Sequence, residues 1–418
     1  MALRRPRLCA LTAITLAGAL AAPALAEVKL AKPEEVGFTA AGLGALDAQM
    51  RGLVDQQKLA GVTTLVARHG KVVHFDAYGK ADLASGKPLQ KDAVFRIASM
   101  TKPITGVAMM ILYEEGKWKL DDPVAKHIPE FANLKVKGPD GQLAGQASPM
   151  TMAQLMSHSA GFGVSSTYEG ADLNDSDLQG MVDKLAVLPL ATQPGTAWDY
   201  GPSVNIQGYV VEKLSGQSLD QFFKQRIFDP LKMADTGFWV DPAKAGRVVS
   251  INTYKDGKIT PADQSARPVL TARPKFLAGS GGLFSTTEDY WRFAQMLANH
   301  GELDGARILK PETVKLMYQN VLKPGVTVDL YGPSQAGVGF GMDVAVILDP
   351  KVAGTPQGLN THYWGGAFGT WYWVDPTHDV VFVGMIQNLQ GSVPGAGTPA
   401  LRSLSYPLVY DALVDPAK

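Results

Sequence analysis

The chain has 418 residues, of which 46% are hydrophobic and 19% are charged. It therefore has enough apolar material for a large core, and wholesale disorder is excluded. Lys plus Arg and Asp plus Glu both number 39, giving a net charge of zero. Because there is no basic surplus, binding of nucleic acid through its phosphates is disfavoured.

The first 26 residues have the pattern of a bacterial secretory signal peptide. Three arginines precede an apolar stretch from Leu8 to Leu20, and Ala24-Leu25-Ala26 is a small-x-small cleavage site. The apolar stretch is shorter than the roughly 20 residues of a spanning helix, so a membrane anchor is the disfavoured alternative. Cleavage removes Cys9, the only cysteine. We expect a periplasmic or secreted protein without disulfides and without stable membrane insertion.

Hydrophobic periodicity and turn residues predict both helices and strands along the mature chain. In chain order, the predicted elements begin with a helix over 40–57, a hairpin with strands over 62–66 and 72–75 separated by His69-Gly70, and a helix from Ser99 to Gly116. Short helices follow, two of them capped by Thr151 and Ser218 and one starting at Ser203. The last predicted elements are a strand over 281–284, a helix with a capping-box-like start at Thr286 and Asp289, strands over 370–374 and 380–385, and a helix from about Pro399. The glycine-rich segment 337–341 indicates tight backbone packing in a strand.

This order predicts an α/β fold whose sheet is built from both ends of the chain. The sheet domain is expected to comprise 27–115 and 270–418, and a mainly helical inserted domain to comprise 116–269. The last two strands are joined by a short turn, which favours antiparallel pairing over a Rossmann-type order.

Ser99-Met100-Thr101-Lys102 is the first candidate for chemistry. The bare Ser-x-x-Lys pattern is weak, since about one match is expected by chance in this composition. Pro103 is tolerated only in a first helical turn, so Ser99 must lie at the helix start. Residues i and i+3 share a helix face, so Lys102 can reach the Ser99 hydroxyl beside N–H groups suited to an oxyanion. The alternative is a capping serine followed by a solvated lysine.

Two later segments favour the catalytic interpretation. Tyr200 follows a Pro-Gly turn and precedes a helix. It is either a core tyrosine or a proton carrier, because Tyr and Lys both titrate near pH 10 and a close pair depresses the pKa of one of them. The segment 362–367 (His-Tyr-Trp-Gly-Gly-Ala) precedes a strand, and its glycines permit close backbone approach to a ligand, with a peptide N–H as an oxyanion donor.

Taken together, these segments resemble the serine β-lactamase/penicillin-binding-protein superfamily in its class C-like branch. They are most similar to the β-lactamase-like carboxylesterases called family VIII esterases. The motifs that carry the resemblance, over about 30–415, are Ser99-x-x-Lys102, 155–161 (Leu-Met-Ser-His-Ser-Ala-Gly), Tyr200, 281–286 (Gly-Gly-Leu-Phe-Ser-Thr) and Trp364-Gly365-Gly366. The resemblance implies an antiparallel sheet flanked by N- and C-terminal helices, with a helical insertion.

The resemblance also implies roles for individual residues. Ser99 becomes the nucleophile, and Lys102 and Tyr200 share its activation, with Tyr200 taking the Ser99 proton. Main-chain N–H groups of Ser99 and Ala367 would form the oxyanion hole. The residues implied in substrate binding are Tyr363, Trp364, Gly365 and Gly366. Such a mechanism needs no metal and no organic cofactor.

Two departures from class C β-lactamases favour an esterase. Their catalytic tyrosine is followed by x-Asn, whereas Tyr200 is followed by Gly201-Pro202. Their third motif begins with a lysine that helps hold the substrate carboxylate, whereas Trp364 stands there in this chain. A desolvated carboxylate without a positive donor is costly, and a neutral ester avoids that cost. The candidates for supplying the missing charge are Arg273, Lys275 and His362.

The sequence thus predicts an exported serine hydrolase that cleaves short-acyl carboxylic esters, with a small-molecule ester as its partner. One alternative is a β-lactamase or D-amino-acid peptidase. Another is a catalytically silent protein that captures cell-wall fragments, although the joint presence of Ser99, Lys102 and Tyr200 argues against it. His158 belongs to a packing motif of the resembled family and is expected to be structural. The oligomeric state is not predicted.

Overall fold

The computed structural model describes residues 28–164, 172–330, 334–391 and 393–414. The predicted signal peptide at 1–26 lies outside the described residues. No helix within the described ranges is long and apolar enough to cross a membrane.

The described chain contains sixteen strands and ten α-helices. The strands are β1 (Gly61–Arg68), β2 (Lys71–Asp82), β3 (Lys87–Pro88), β4 (Phe95–Arg96), β5 (Val136–Lys137), β6 (Leu143–Ala144), β7 (Asn252–Lys255), β8 (Lys258–Pro261), β9 (Phe284–Ser285), β10 (Glu302–Leu303), β11 (Ala306–Arg307), β12 (Val338–Phe340), β13 (Ala345–Ile347), β14 (His362–Gly365), β15 (Trp371–Asp375) and β16 (Val380–Met385). The helices are α1 (Ala40–Asp55), α2 (Thr101–Glu114), α3 (Met152–Met156), α4 (Leu178–Leu185), α5 (Ser203–Ser215), α6 (Leu219–Phe223), α7 (Thr287–Ala298), α8 (Pro311–Met317), α9 (Pro350–Ala353) and α10 (Leu401–Tyr410).

The main sheet has eight strands in the order β12-β13-β14-β15-β16-β1-β2-β3. Every neighbouring pair is antiparallel. Strands from the two ends of the chain meet where β1 pairs with β16, with Leu65 opposite Val383. The α/β class and the antiparallel sheet are therefore confirmed. The domain boundaries at 115/116 and 269/270 stay predictions.

Helices cover both faces of this sheet, which is why every residue of β1 is buried. Successive strand residues point to opposite faces. Thr63 bonds Thr287 of α7 through their hydroxyls at 2.6 Å, so α7 covers one face. Thr64 bonds His74 Nε2, which lies 3.5 Å from the Asp47 carboxylate of α1 on the other face. The centre of the main sheet is thus buried on two sides.

Ser99 lies at the start of the helical segment as predicted, in a 3₁₀ turn (Ala98–Met100) that leads directly into α2. Two other local predictions were wrong in detail. Of the strand expected over 281–284, only Phe284 lies in a strand, the two-residue β9 (Phe284–Ser285). Ser218 stands at the start of α6 but its side chain makes no capping hydrogen bond, whereas the Thr286 side chain accepts one from the Asp289 N–H as expected.

Candidate active site

The turn that carries Ser99 is held by backbone contacts on both sides. Ala98 has φ 43°, a left-handed conformation that is uncommon for a residue with a Cβ and that stores strain. The Met100 N–H donates to the Ile97 carbonyl at 3.0 Å. The Met100 carbonyl in turn accepts a hydrogen bond from the buried Tyr290 hydroxyl of α7 at 2.9 Å. These contacts present Ser99 at a surface cavity.

Lys102 lies beneath Ser99 and is only 3% exposed. Its Nζ donates to Ser99 Oγ at 3.1 Å and to the Ser280 carbonyl at 2.7 Å. The Ser280 N–H donates to Asn205 Oδ1 at 2.9 Å, so α5 fixes the carbonyl that orients the amine. Burial lowers the pKa of Lys102 from 10.5 to about 7, and Asp343 opposes this shift. Near neutral pH, a large fraction of Lys102 is therefore the free amine, which can accept a proton.

Tyr200 lies beside the same amine. Lys102 Nζ is 4.3 Å from the centroid of the Tyr200 ring, and the Tyr200 hydroxyl accepts a hydrogen bond from Trp364 Nε1 at 3.1 Å. The ring of Tyr200 stacks on Trp198 at 5.6 Å and contacts His158 at 4.8 Å between centroids. The tyrosine is thus held by aromatic packing, and the tryptophan of the third motif bonds directly to it.

His158 sits in an aromatic cage rather than in a proton path. Its ring contacts Tyr200, Trp198 and Phe340, and neither ring nitrogen has a hydrogen-bond partner among the described residues. Burial and the charge on Lys102 hold the pKa of His158 well below 6.5. A neutral ring packed in this way is consistent with the structural role expected for it.

The third motif packs closely against the turn that carries Ser99. The Gly366 N–H donates to the Thr370 carbonyl at 2.7 Å, and Thr370 Oγ1 donates to the Ile97 carbonyl at 3.2 Å. A Cβ on Gly366 would lie 2.2 Å from that Ile97 oxygen, so only glycine permits this approach. As a consequence, Ala367 and Ser99 lie in the wall of one cavity.

This cavity has a volume of about 420 Å³, within the usual range for small-molecule sites. Seven of the eight predicted site residues line it: Ser99, Tyr200, Tyr363, Trp364, Gly365, Gly366 and Ala367. The eighth, Lys102, lies below. The other walls include Leu330, Gln335 and the first turn of α10. The folded chain therefore brings all the predicted residues to one place, while their chemical roles stay predictions.

Asp343, a fully buried carboxyl near Lys102, was not predicted as a site residue from the sequence. Gln207 Nε2 donates to its Oδ1 at 3.0 Å. A Cβ on Gly106 would lie 3.1 Å from its Oδ2, and Gly106 follows Lys102 by one helical turn on the same face of α2. Burial raises the pKa of Asp343 well above 3.8, and Lys102 counteracts this. The only sequence signal was a glycine-rich strand segment, 337–341, that indicated close backbone packing.

The three candidates for the missing third-motif charge do not line the cavity that holds Ser99. Arg273 forms a bidentate pair with Asp220, and Lys275 borders a separate surface pocket. His362 is buried and stacked on Tyr318 with 3.4 Å between ring centroids, and burial lowers its pKa to about 3. Of the described residues that line the active-site cavity, only Arg402 carries a charge. No sequence pattern marks this arginine as a site residue.

The fold and the site define a β-lactamase-like serine hydrolase. The family model for Beta-lactamase matches residues 46–405, and the chain belongs to this family. Esterase EstB from Burkholderia gladioli is 31% identical over 403 residues, which cover 90% of this chain and 98% of EstB. The lovastatin esterase of Penicillium rubens is 29% identical over 378 residues, which cover 82% of this chain and 92% of that enzyme.

Among solved structures, the chain is similar to EstCE1, a hydrolase with promiscuous acyltransferase activity. The TM-score is 0.75 at 24% identity, over 88% of this chain and 98% of EstCE1. At this identity the similarity concerns the fold. Within the described residues, no group of three or more His, Cys, Asp or Glu side chains is placed to hold a metal ion.

The contact between Gly366 and Ile97 should control how Ser99 is presented. We expect Gly366→Ala to slow labelling of Ser99 by a fluorophosphonate about 10²-fold, since a displacement of about 1 Å at a reacting group has effects of that size. Gly281→Ala is the matched control, because its added Cβ would lie 3.6 Å from the Ala98 backbone, an ordinary contact. If Gly366→Ala and Gly281→Ala are labelled at equal rates and both keep the wild-type melting temperature, the Gly366–Ile97 contact does not control the presentation of Ser99.

Asp343 should set the pH at which the site becomes reactive. The rate of fluorophosphonate labelling should rise with pH through a midpoint near 7, where Lys102 loses its proton. Because Asp343 raises the pKa of Lys102, Asp343→Asn should move that midpoint to lower pH. Asp289→Asn is the control, since burial also raises the pKa of Asp289 to about 7. A midpoint that stays in place in Asp343→Asn, or moves in the control, would show that Asp343 does not tune Lys102.

Proposed function

We propose that this chain is an exported carboxylesterase that cleaves short-acyl carboxylic esters through an acyl-enzyme on Ser99. The observation that carries the proposal is the hydrogen bond from Trp364 Nε1 to the Tyr200 hydroxyl. The neutral indole of Trp364 bonds to Tyr200 and stands at the position where class C β-lactamases have the lysine that helps hold a substrate carboxylate. The similarity to EstB and to a lovastatin esterase supports ester substrates.

In the first step, Ser99 Oγ attacks the ester carbonyl carbon while its proton moves to the free amine of Lys102. The distance of 3.1 Å between Lys102 Nζ and Ser99 Oγ supports direct transfer, and a pKa near 7 matches general-base catalysis at neutral pH. This assignment differs from the sequence-based expectation that Tyr200 takes the proton, because Lys102 is the group in hydrogen-bond contact with the nucleophile.

The carbonyl oxygen becomes an oxyanion as the Ser99 ester forms. Main-chain N–H groups of Ser99 and Ala367 are the proposed donors, since the contact of Gly366 with Ile97 brings both residues to one cavity wall. Donors fixed by the backbone need no reorganisation when the charge develops, which is the main source of their effect on rate.

Breakdown of the tetrahedral intermediate expels the alcohol. The bond between the carbonyl carbon and the alcohol oxygen breaks, and that oxygen takes a proton from the Tyr200 hydroxyl, which Lys102 replenishes. The Trp364 N–H donates to the Tyr200 oxygen and thereby makes its proton easier to release. Water then attacks the acyl carbon and gives a proton to the same pair, and Ser99 leaves with its proton restored as the carboxylic acid departs.

The preference for short acyl chains is supported by the packing of Trp364. Its side chain is 4% exposed and lies between Tyr200 and Phe340, with ring centroids 5.5 and 5.3 Å away. Trp364 and Tyr200 line the cavity together with Ser99 and give it an aromatic wall that suits a small apolar acyl group.

Export is supported by the signal-peptide pattern at 1–26, which predicts a mature N-terminus at Glu27.

Lys102 and Tyr200 should act as one proton-transfer unit. We expect Lys102→Ala and Tyr200→Phe each to reduce kcat for 4-nitrophenyl butyrate by about 10²–10⁴-fold, the usual contribution of general acid–base catalysis. The double variant should lose little more than the worse single variant, because groups that act together are non-additive. Tyr209→Phe is the control, since its hydroxyl bonds Gln179 away from the cavity. If the losses of kcat in the double variant are fully additive, Lys102 and Tyr200 do not share one proton path.

Esters should be far better substrates than β-lactams. Because Trp364 offers no positive charge to a β-lactam carboxylate, we expect kcat/KM for 4-nitrophenyl butyrate to exceed that for nitrocefin by at least about 10²-fold, which corresponds to about 3 kcal/mol. Ser99→Ala should abolish both activities. If nitrocefin matches or exceeds the ester on one preparation, the chain is a β-lactamase and the proposal fails.

A further inference from the structure

Arg402 is a charged residue inside a cavity whose other described lining residues are neutral. It lies in the first turn of α10 and shares the cavity with Ser99. Its guanidinium carbon is 4.7 Å from the centroid of the buried Tyr363 ring. It also lies near the Tyr406 hydroxyl, where its charge lowers the Tyr406 pKa although burial raises that pKa more strongly. All of these partners are neutral.

No carboxylate of a described residue lies within ion-pair distance of Arg402. Six other arginines do form ion pairs with Asp or Glu: Arg51, Arg226, Arg247, Arg273, Arg292 and Arg307. Stacking on Tyr363 orients the guanidinium but leaves its charge uncompensated. A fixed guanidinium in a partly enclosed, neutral cavity is suited to bidentate pairing with a carboxylate.

We propose that the substrates of this site are short esters that carry a carboxylate, and that Arg402 binds this group. The inference rests on the proposed esterase function and names its substrate class. The guanidinium of Arg402 packs on the Tyr363 ring, whereas Trp364 bonds to the Tyr200 hydroxyl. The proposed anion site at Arg402 therefore involves a different aromatic residue from the third-motif position, where a β-lactam carboxylate would need its cation. The carboxylate can belong to the acyl part or to the alcohol part of the ester.

The test compares three chromogenic esters on the full chain. These are 4-nitrophenyl butyrate, which is neutral, mono-4-nitrophenyl glutarate, with an acyl-side carboxylate, and 3-carboxy-4-nitrophenyl butyrate, with an alcohol-side carboxylate. We expect the wild type to prefer one of the two anionic esters in kcat/KM. Arg402→Gln should reduce the ratio of that kcat/KM to the value for the neutral ester by about 10–100-fold, the effect of losing a charge-assisted hydrogen bond. The anionic ester whose kcat/KM falls in Arg402→Gln shows whether the acyl part or the alcohol part of the substrate carries the carboxylate.

Two further variants sharpen the comparison. Arg267→Gln is the matched control, because Arg267 also lies over an aromatic ring, that of Phe368 at 5.6 Å, but borders a different pocket. It should leave the ratio unchanged. Arg402→Lys keeps the positive charge but lacks the planar guanidinium, so it should give an intermediate ratio of kcat/KM for the anionic and neutral esters. An Arg402→Gln enzyme that loses activity on all three esters alike would show a structural role only, and an unchanged ratio would likewise overturn the inference.

A binding measurement separates this inference from the esterase proposal. In a Ser99→Ala background, calorimetry should show that glutaric acid monoanilide binds at least about tenfold more tightly than neutral butyranilide, and Arg402→Gln should remove the difference. Equal binding of the two anilides overturns the anion site even if ester hydrolysis is observed. Conversely, Arg402-dependent binding without hydrolysis of any ester would retain the anion site and refute the esterase function.

Discussion

A primary amine held out of water beneath the Ser99 hydroxyl is the constraint on which this site depends. Lys102 has its pKa lowered to about 7 by burial, which costs the folded state about 5 kcal/mol below pH 7, since one pKa unit is about 1.4 kcal/mol. The cost declines as the pH rises toward 10.5, because the unfolded chain then binds the additional proton. The rest of the fold must offset this cost, and a sheet covered on both faces provides the buried area to do so.

The groups around the amine come from distant parts of the chain. Ser280 supplies the acceptor carbonyl, and Asn205 holds that residue in place. Asp343 follows β12 and reaches the same side of α2 through the opening left by Gly106. The β-sheet aligns β14 with the nucleophile turn. Burial, orientation and charge at one nitrogen atom are therefore set by several segments that only the complete tertiary fold brings together.

Local patterns were sufficient for much of the fold. His69 and Gly70, the residues expected to turn the first hairpin, have φ of 51° and 70°, as a tight two-residue turn requires. The strand predicted over 380–385 has those bounds in the structure. The Ser99–Lys102 pair could also be inferred, because two residues that are three positions apart at a helix start lie on the same helix face.

What could not be predicted depends on tertiary contacts. Asp343 is separated from Lys102 by more than two hundred residues, and no periodic pattern marks a buried acid that packs against a distant helix. Arg402 lies in the first turn of α10, which borders the cavity only after this helix docks on α1. The capping role assigned to Ser218 failed for a related reason, since a suitable residue type at a helix start does not determine where its hydroxyl points.

The position of the positive charge in the cavity affects both the pKa of Lys102, the proposed base, and the proposed binding of the substrate. A lysine in place of Trp364 would stand next to Tyr200 and close to Lys102, and its like charge would lower the pKa of Lys102. The neutral indole exerts no such effect, so burial sets that pKa and Asp343 opposes it. In the proposed function, the cation of the cavity is Arg402 on α10 rather than a residue of the third motif beside Tyr200. Binding of the substrate anion and activation of Ser99 are then assigned to different elements, α10 and α2.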